Sequence, residues 1–148
     1  MKLKQVLNKE VVTTDLQGST KREIIEELLD ILMNTGKVAD RSTALKDLLD
    51  REAKMSTGIQ HGVAIPHAKT KAVTGLVACI GVHREGMDFE SLDGVPSTIF
   101  VMTLSPENRT GPHVQFLAEI SMVLKSPPVR SAIMKVTDPG ELLELFGA

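Results

Sequence analysis

The chain has a single cysteine and no apolar run approaching the ~20 residues that cross a bilayer. Cys79 on its own can neither close an internal disulfide nor build a cysteine-rich zinc site, so a reducing cytoplasm is its simplest home. Net charge is also scarce. Seventeen Lys and Arg against nineteen Asp and Glu leave −2, which argues against the broad basic surface that nucleic acid or an anionic membrane would require. A local basic patch around a small anion is still compatible with that balance. The opening "MKLKQVLNKEVV" has lysines but no long apolar segment or cleavage site, so it does not read as a signal peptide. Internal repeats, low-complexity tracts and an interdomain linker are all missing. Several catalytic signatures are missing as well. No two histidines stand at i, i+4, no G-x-S-x-G elbow occurs, and no G-x-x-x-x-G-K-[ST] loop occurs. Zinc proteolysis, serine hydrolysis and P-loop nucleotide binding therefore lack local support, and neither a metal nor a cofactor is expected.

What is present fits one domain over residues 1–148, with 42% hydrophobic residues to fill a core. Thr20 and Glu23 form a capping box, followed by Ile25, Leu28, Leu29 and Leu32 at helical spacing and a stop at Gly36. The spacing predicts a helix over about 20–34. A second helix starts at Asp40 or Ser42, carries Leu45, Leu48 and Leu49 on its buried side, and runs to about Ala53, with Arg51 in its last turn. "GVAIPH", "GLVACIGVH" and "STIFVMTL" read as strands, the last apolar enough to be buried on both faces. "SPENRTGP" is a loop. Val114, Leu117, Ile120, Val123 and Leu124 then form a helical stripe that Pro127 ends, and "PPVRSAIMKV" and "DPGELLELF" supply two more helices. The order predicts a single α/β domain, one mixed β-sheet with helices packed on both faces.

The chemistry points to histidine acting for itself. Neutral imidazole is a good nucleophile near neutral pH and can carry a phosphoryl group on a ring nitrogen. Such a carrier needs an exposed histidine with one free nitrogen, cationic or N–H donors for the phosphoryl oxygens, and an open surface for partner proteins. The stretch "STGIQHGVAIPHAKT" meets these needs. Pro66 fixes its own φ and biases Ile65 to an extended form, so a strand should end with His67 held in a defined direction. Ser56 and Thr57 offer hydroxyls, Arg51 offers a planar fork suited to phosphate, and His113 opens a helix whose N-terminus favours an anion.

The longer stretch "DREAKMSTGIQHGVAIPHAKT" resembles the active-site region of the type-2 enzyme IIA domain of the bacterial phosphoenolpyruvate-dependent phosphotransferase system, the fructose, mannitol and nitrogen-regulatory class. That family has an R-E dipeptide, then S/T-x-G-I-x-x-G-I-A-I/V-P-H, and a later histidine at a helix start. Arg51-Glu52, Thr57-Gly58-Ile59, Gly62 through His67, and His113 take those places. Gln60 stands where many members have glycine, His61 where many have asparagine, and Val114 where leucine is common. The resemblance covers essentially the whole chain. It implies a phosphotransferase of the phosphohistidine type, with His67 as the acceptor and Arg51 and His113 as catalytic support; Ser56 and Thr57, read from their hydroxyls, are expected to help bind the phosphoryl group. It also implies a donor, HPr or an HPr-like protein, and a recipient, either a IIB cysteine in sugar uptake or target proteins that read the phosphorylation state. Neither nucleic acid nor membrane insertion enters this picture. The chain shows no IIB or membrane domain of its own, which leans slightly to the regulator.

Each residue also has a plainer reading. His67 could cap a strand, His113 could bond its own loop, and Arg51 could close a salt bridge at a helix end. For His61 and His83 the plain structural reading is the expected one. Cys79, between apolar neighbours, is expected to be a small buried hydrophobe.

Overall fold

The computed structural model describes residues 3–147. Two single turns of 3₁₀-helix at Leu3–Gln5 and Lys9–Val11 lead into the short strand β1, Val12–Thr13. Helices α1, Lys21–Met33, and α2, Arg41–Lys54, follow, then strands β2, Val63–Ala64, β3, His67–Lys69, β4, Val77–Met87, and β5, Ser97–Ser105. Three helices close the chain: α3, Gly111–Leu124, α4, Pro127–Ile133, and α5, Pro139–Leu145.

Local chemistry accounts for the helix ends. The Glu23 N–H donates to Thr20 Oγ1 at 3.1 Å and the Thr20 N–H donates to Glu23 Oε1 at 3.2 Å, the reciprocal pair expected of a capping box. Asp40 accepts from the N–H groups of Ser42 and Thr43 at the start of α2. α1 buries Ile24, Ile25, Leu28, Leu29 and Leu32, and Gly36 follows with φ +72°. On α2 the fully buried positions are Ala44, Leu48 and Glu52, with Leu45 and Leu49 only partly covered.

The sheet is mixed, as expected. β4 and β5 pair antiparallel at its centre, β1 lies parallel to β4 on one side, and β2 and β3 both lie parallel to β5 on the other. Seven consecutive residues of β4, Val77 to His83, are buried, as is all of β5 except Thr98. Alternate side chains of a strand face opposite ways, so helices must cover both faces. Among the described residues no helix is long and apolar enough to cross a membrane.

Three expectations need correction. β1 is an extra strand of two residues, too short to show a period. β4 continues past His83 to Met87 across a bulge. Arg84 makes this polar continuation possible, because its guanidinium donates to the carbonyls of Thr14, Met134 and Val136. Finally, "GVAIPH" is not one strand ending at His67. The pairing breaks at Ile65–Pro66, and His67 opens β3. Pro66 has no N–H to give, and the Ile65 N–H goes to the Thr57 carbonyl at 3.0 Å. The register survives the break, with Val63 opposite Ile99 and His67 opposite Thr103.

Candidate functional site

His67 sits where the edge strand resumes after Pro66. Its Nδ1 lies 2.8 Å from the Ile65 carbonyl, which can only accept, so Nδ1 carries the proton and Nε2 keeps a free lone pair. Burial lowers the His67 pKa, and the Arg51 charge adds to that effect. The ring is therefore neutral and nucleophilic at physiological pH.

His113 lies beside it, 46 residues further along the chain (113 − 67). It occupies the first turn of α3, behind Gly111 and Pro112, and the two ring centroids are 5.3 Å apart at an interplanar angle of 88°. Burial, then the charge His67 gains on protonation at low pH and the charge of Lys69, push its pKa down to about 4. His113 is thus a neutral imidazole, not a cation. Its Nδ1 is 2.7 Å from Ser105 Oγ and its Nε2 is 3.5 Å from Thr103 Oγ1.

Arg51 is in the last turn of α2. One guanidinium nitrogen, Nη1, donates to the Met55 carbonyl at 2.9 Å as the chain leaves the helix. Among the described residues it has no carboxylate partner, so the salt-bridge reading does not apply and the rest of the fork is available. Arg51, His67 and His113 line one open cleft of about 580 Å³. Lys54 and Lys69 line it too, with Asp47 and Asp50 on its α2 side. Asp50 pairs with Lys46 at 2.7 Å. His67, whose Nε2 has no hydrogen-bond partner among the described residues, thus lines a cleft with three cationic side chains against two carboxylates, one of them paired with Lys46, which suits a small, highly charged anion arriving on another macromolecule.

The profile described as "Phosphoenolpyruvate-dependent sugar phosphotransferase system, EIIA 2" matches residues 5–148. The chain belongs to this EIIA type-2 family. Its relatives include the fructose-specific EIIA component of Haloferax volcanii, 36% identical over 126 residues, covering 85% of this chain and 82% of the relative. The fructose-specific EIIABC component of Bacillus subtilis is 30% identical over 146 residues, 99% of this chain, and this chain spans only 23% of that longer protein. Among solved structures, the nitrogen regulatory protein IIA-Ntr of Neisseria meningitidis superposes with a TM-score of 0.89 at 26% identity, covering 96% of this chain and 97% of the other. EIIA domains of this family are phosphoryl carriers, and their fold is the mixed sheet with five helices found here.

Two residues expected at the site fall outside the cleft. Ser56 and Thr57 do not offer their hydroxyls to it. Ser56 Oγ donates to the Phe89 carbonyl at 2.8 Å and accepts the Gly58 N–H at 3.1 Å. Thr57 is buried, and both its N–H, at 2.9 Å, and its hydroxyl, at 2.6 Å, donate to the carboxylate of Glu52. Turn geometry, which residue types alone do not reveal, directs them away. Glu52 also meets Lys21 Nζ at 2.9 Å, so the R-E dipeptide divides its work: Arg51 faces the cleft, while Glu52 ties the following loop to α1.

Sequence reasoning missed Lys69, Thr103, Ser105 and Thr110. Lys69 Nζ donates to Thr110 Oγ1 at 2.9 Å, joining β3 to the start of α3 beside the site. The available signal was strand alternation. Lys69 is two residues after His67 and shares its face, and Thr103 and Ser105 are polar breaks two apart at the end of an apolar strand. His61 is exposed, with φ +62°, and its N–H donates to Asp93. His83 donates from Nε2 to the Gly18 carbonyl at 2.8 Å, and Cys79 is fully buried with its thiol pKa pushed up. A second groove, lined by Ile59, Val63, Ile65, Ile120 and Leu124, is apolar and has no cation besides Lys125.

Proposed function

We propose that this EIIA chain is a histidine phosphocarrier that accepts a phosphoryl group on Nε2 of His67 from phospho-HPr or an HPr-like protein. The observation that carries this reading is the His67 Nδ1 bond to the Ile65 carbonyl, which leaves Nε2 as the free nitrogen in a cationic cleft. The Nε2 lone pair forms the new P–N bond as the donor's P–N bond breaks, and Nδ1 keeps its proton throughout. The phosphorylated ring gains positive character, which the Ile65 carbonyl dipole stabilises. Arg51 provides a planar pair of donors for two phosphoryl oxygens, and Lys54 and Lys69 add charge. His113 supports the group without accepting it. The onward step reverses this chemistry: a IIB thiolate takes the phosphorus and the electron pair returns to Nε2. Both partners are proteins that meet it in the cytoplasm.

A second reading follows from the likeness to IIA-Ntr of Neisseria meningitidis, which spans nearly all of both chains. In it the same phospho-His67 is a signal read by target proteins, with no sugar at the end. The discriminating experiment begins with phosphoenolpyruvate, enzyme I and a panel of HPr-type donors, followed by addition of a IIB domain. A carrier for uptake loses its phosphoryl group to IIB within the mixing time and not to a cysteine-to-serine IIB. A regulator retains it.

A further inference from the structure

Ser105 lies at the end of β5 and is 1% exposed. Among the described residues its hydroxyl makes one hydrogen bond, to Nδ1 of His113 at 2.7 Å. A buried hydroxyl proton without an acceptor is costly, and Nδ1 is the acceptor on offer. The hydroxyl must therefore donate, which requires a bare lone pair on Nδ1. A neutral imidazole has one N–H, so the proton of His113 sits on Nε2. Nε2 is directed toward Thr103, the residue paired with His67 across β3 and β5. The Thr103 hydroxyl is buried as well and competes for the ring, but at 3.5 Å against 2.7 Å its contact is the weaker one, so the Ser105 bond decides the tautomer and leaves an Nε2–H held loosely and ready for a better acceptor.

We propose that Ser105 is a positioning residue that holds His113 in its Nε2–H tautomer, so that His113 donates to a phosphoryl oxygen on His67. The opposite tautomer would present a lone pair to that oxygen and repel it. The effect on transfer rests on the carrier reading; the tautomer does not.

The test uses the whole protein, unphosphorylated and labelled with ¹⁵N-histidine. The two-bond ¹H–¹⁵N spectrum should show His113 protonated at Nε2 and bare at Nδ1. Ser105→Ala should move the tautomer ratio toward Nδ1–H by roughly threefold to tenfold, the span one hydrogen bond carries, and slow transfer from phospho-HPr by a similar factor. Ser105→Thr keeps a hydroxyl and should restore both readouts. A bare Nε2 in the wild-type protein overturns the proposal, and so does Ser105→Ala with an unchanged ratio. Should that variant fail to fold, the wild-type spectrum still decides. If His67 never gains a phosphoryl group while His113 shows the expected tautomer, the carrier reading fails and the hydrogen-bond assignment stands.

Discussion

Replacing Glu52 by alanine should cost both stability and rate, and the structure sets the size. Glu52 is on the buried face of α2, one turn after Leu48, with 7% of its surface exposed. Its carboxylate accepts from the Thr57 N–H and hydroxyl and pairs with Lys21. Glu52→Ala leaves the Thr57 donors buried without an acceptor, a loss of about 1–3 kcal/mol per orphaned group. Breaking a buried ion pair from one side costs about 3–5 kcal/mol when the other charge is stranded. Lys21 is not stranded, since it is 21% exposed and retains Glu90 at 3.3 Å. The ion-pair cost therefore falls away and the two orphaned Thr57 donors set the size at about 2–6 kcal/mol; a loss of ~3 kcal/mol lowers Tm by roughly 6–12 °C for a domain this size. Glu52→Gln keeps the volume and one acceptor and should lose about half as much. The damage should reach the site, because the Thr57 carbonyl holds the Ile65 N–H and the Ile65 carbonyl orients His67. Circular-dichroism melts and a phospho-HPr transfer assay read both effects. A Glu52→Ala protein melting within about 1 °C of wild type would refute the tie.

Arg51→Lys should slow phosphoryl transfer with little change in Tm, because lysine can still reach the Met55 carbonyl but cannot form the bidentate fork; equal damage to rate and Tm would return Arg51 to a structural role. His113→Ala should still be phosphorylated, but onward transfer should slow by roughly 10²–10³, as for a lost charge-stabilising donor, and an unchanged onward rate in single-turnover mixing would remove His113 from the chemistry. His113 also sets a pH dependence. Its folded pKa of about 4 is below the ordinary 6.5, so the unfolded chain binds the proton first and stability is lost as pH falls from about 6.5 toward 4. Melts of wild type and His113→Gln across that window should show a flatter profile in the variant.

The helices were legible because their signals are local. The Thr20–Glu23 box falls where residue types alone place it, and Asp40 is the cap of the two starts, Asp40 or Ser42, that the sequence offered for α2. The proximity of His67 and His113 was expected from strand ends and helix starts meeting at one edge of the sheet, and the rings do lie 5.3 Å apart, although His67 opens β3 where that argument had it ending a strand. What did not show depends on long-range partners. Thr57 and Ser56 look like hydroxyl donors to a ligand until the loop turns them onto Glu52 and Phe89. Glu52 looks like a solvated helix residue until Thr57 and Lys21 converge on it. The run through Arg84 and Glu85 looks like a loop because the carbonyls that pair Arg84 come from distant segments, Thr14, Met134 and Val136.

The central claim is that His67 accepts the phosphoryl group, and intact mass tests it most directly. Wild-type protein incubated with phosphoenolpyruvate, enzyme I and an HPr-type donor should gain the mass of one phosphoryl group, lost in acid and retained in alkali. His67→Ala, shown by circular dichroism to be folded, should gain none. A folded His67→Ala protein that still takes up the phosphoryl mass would contradict the account.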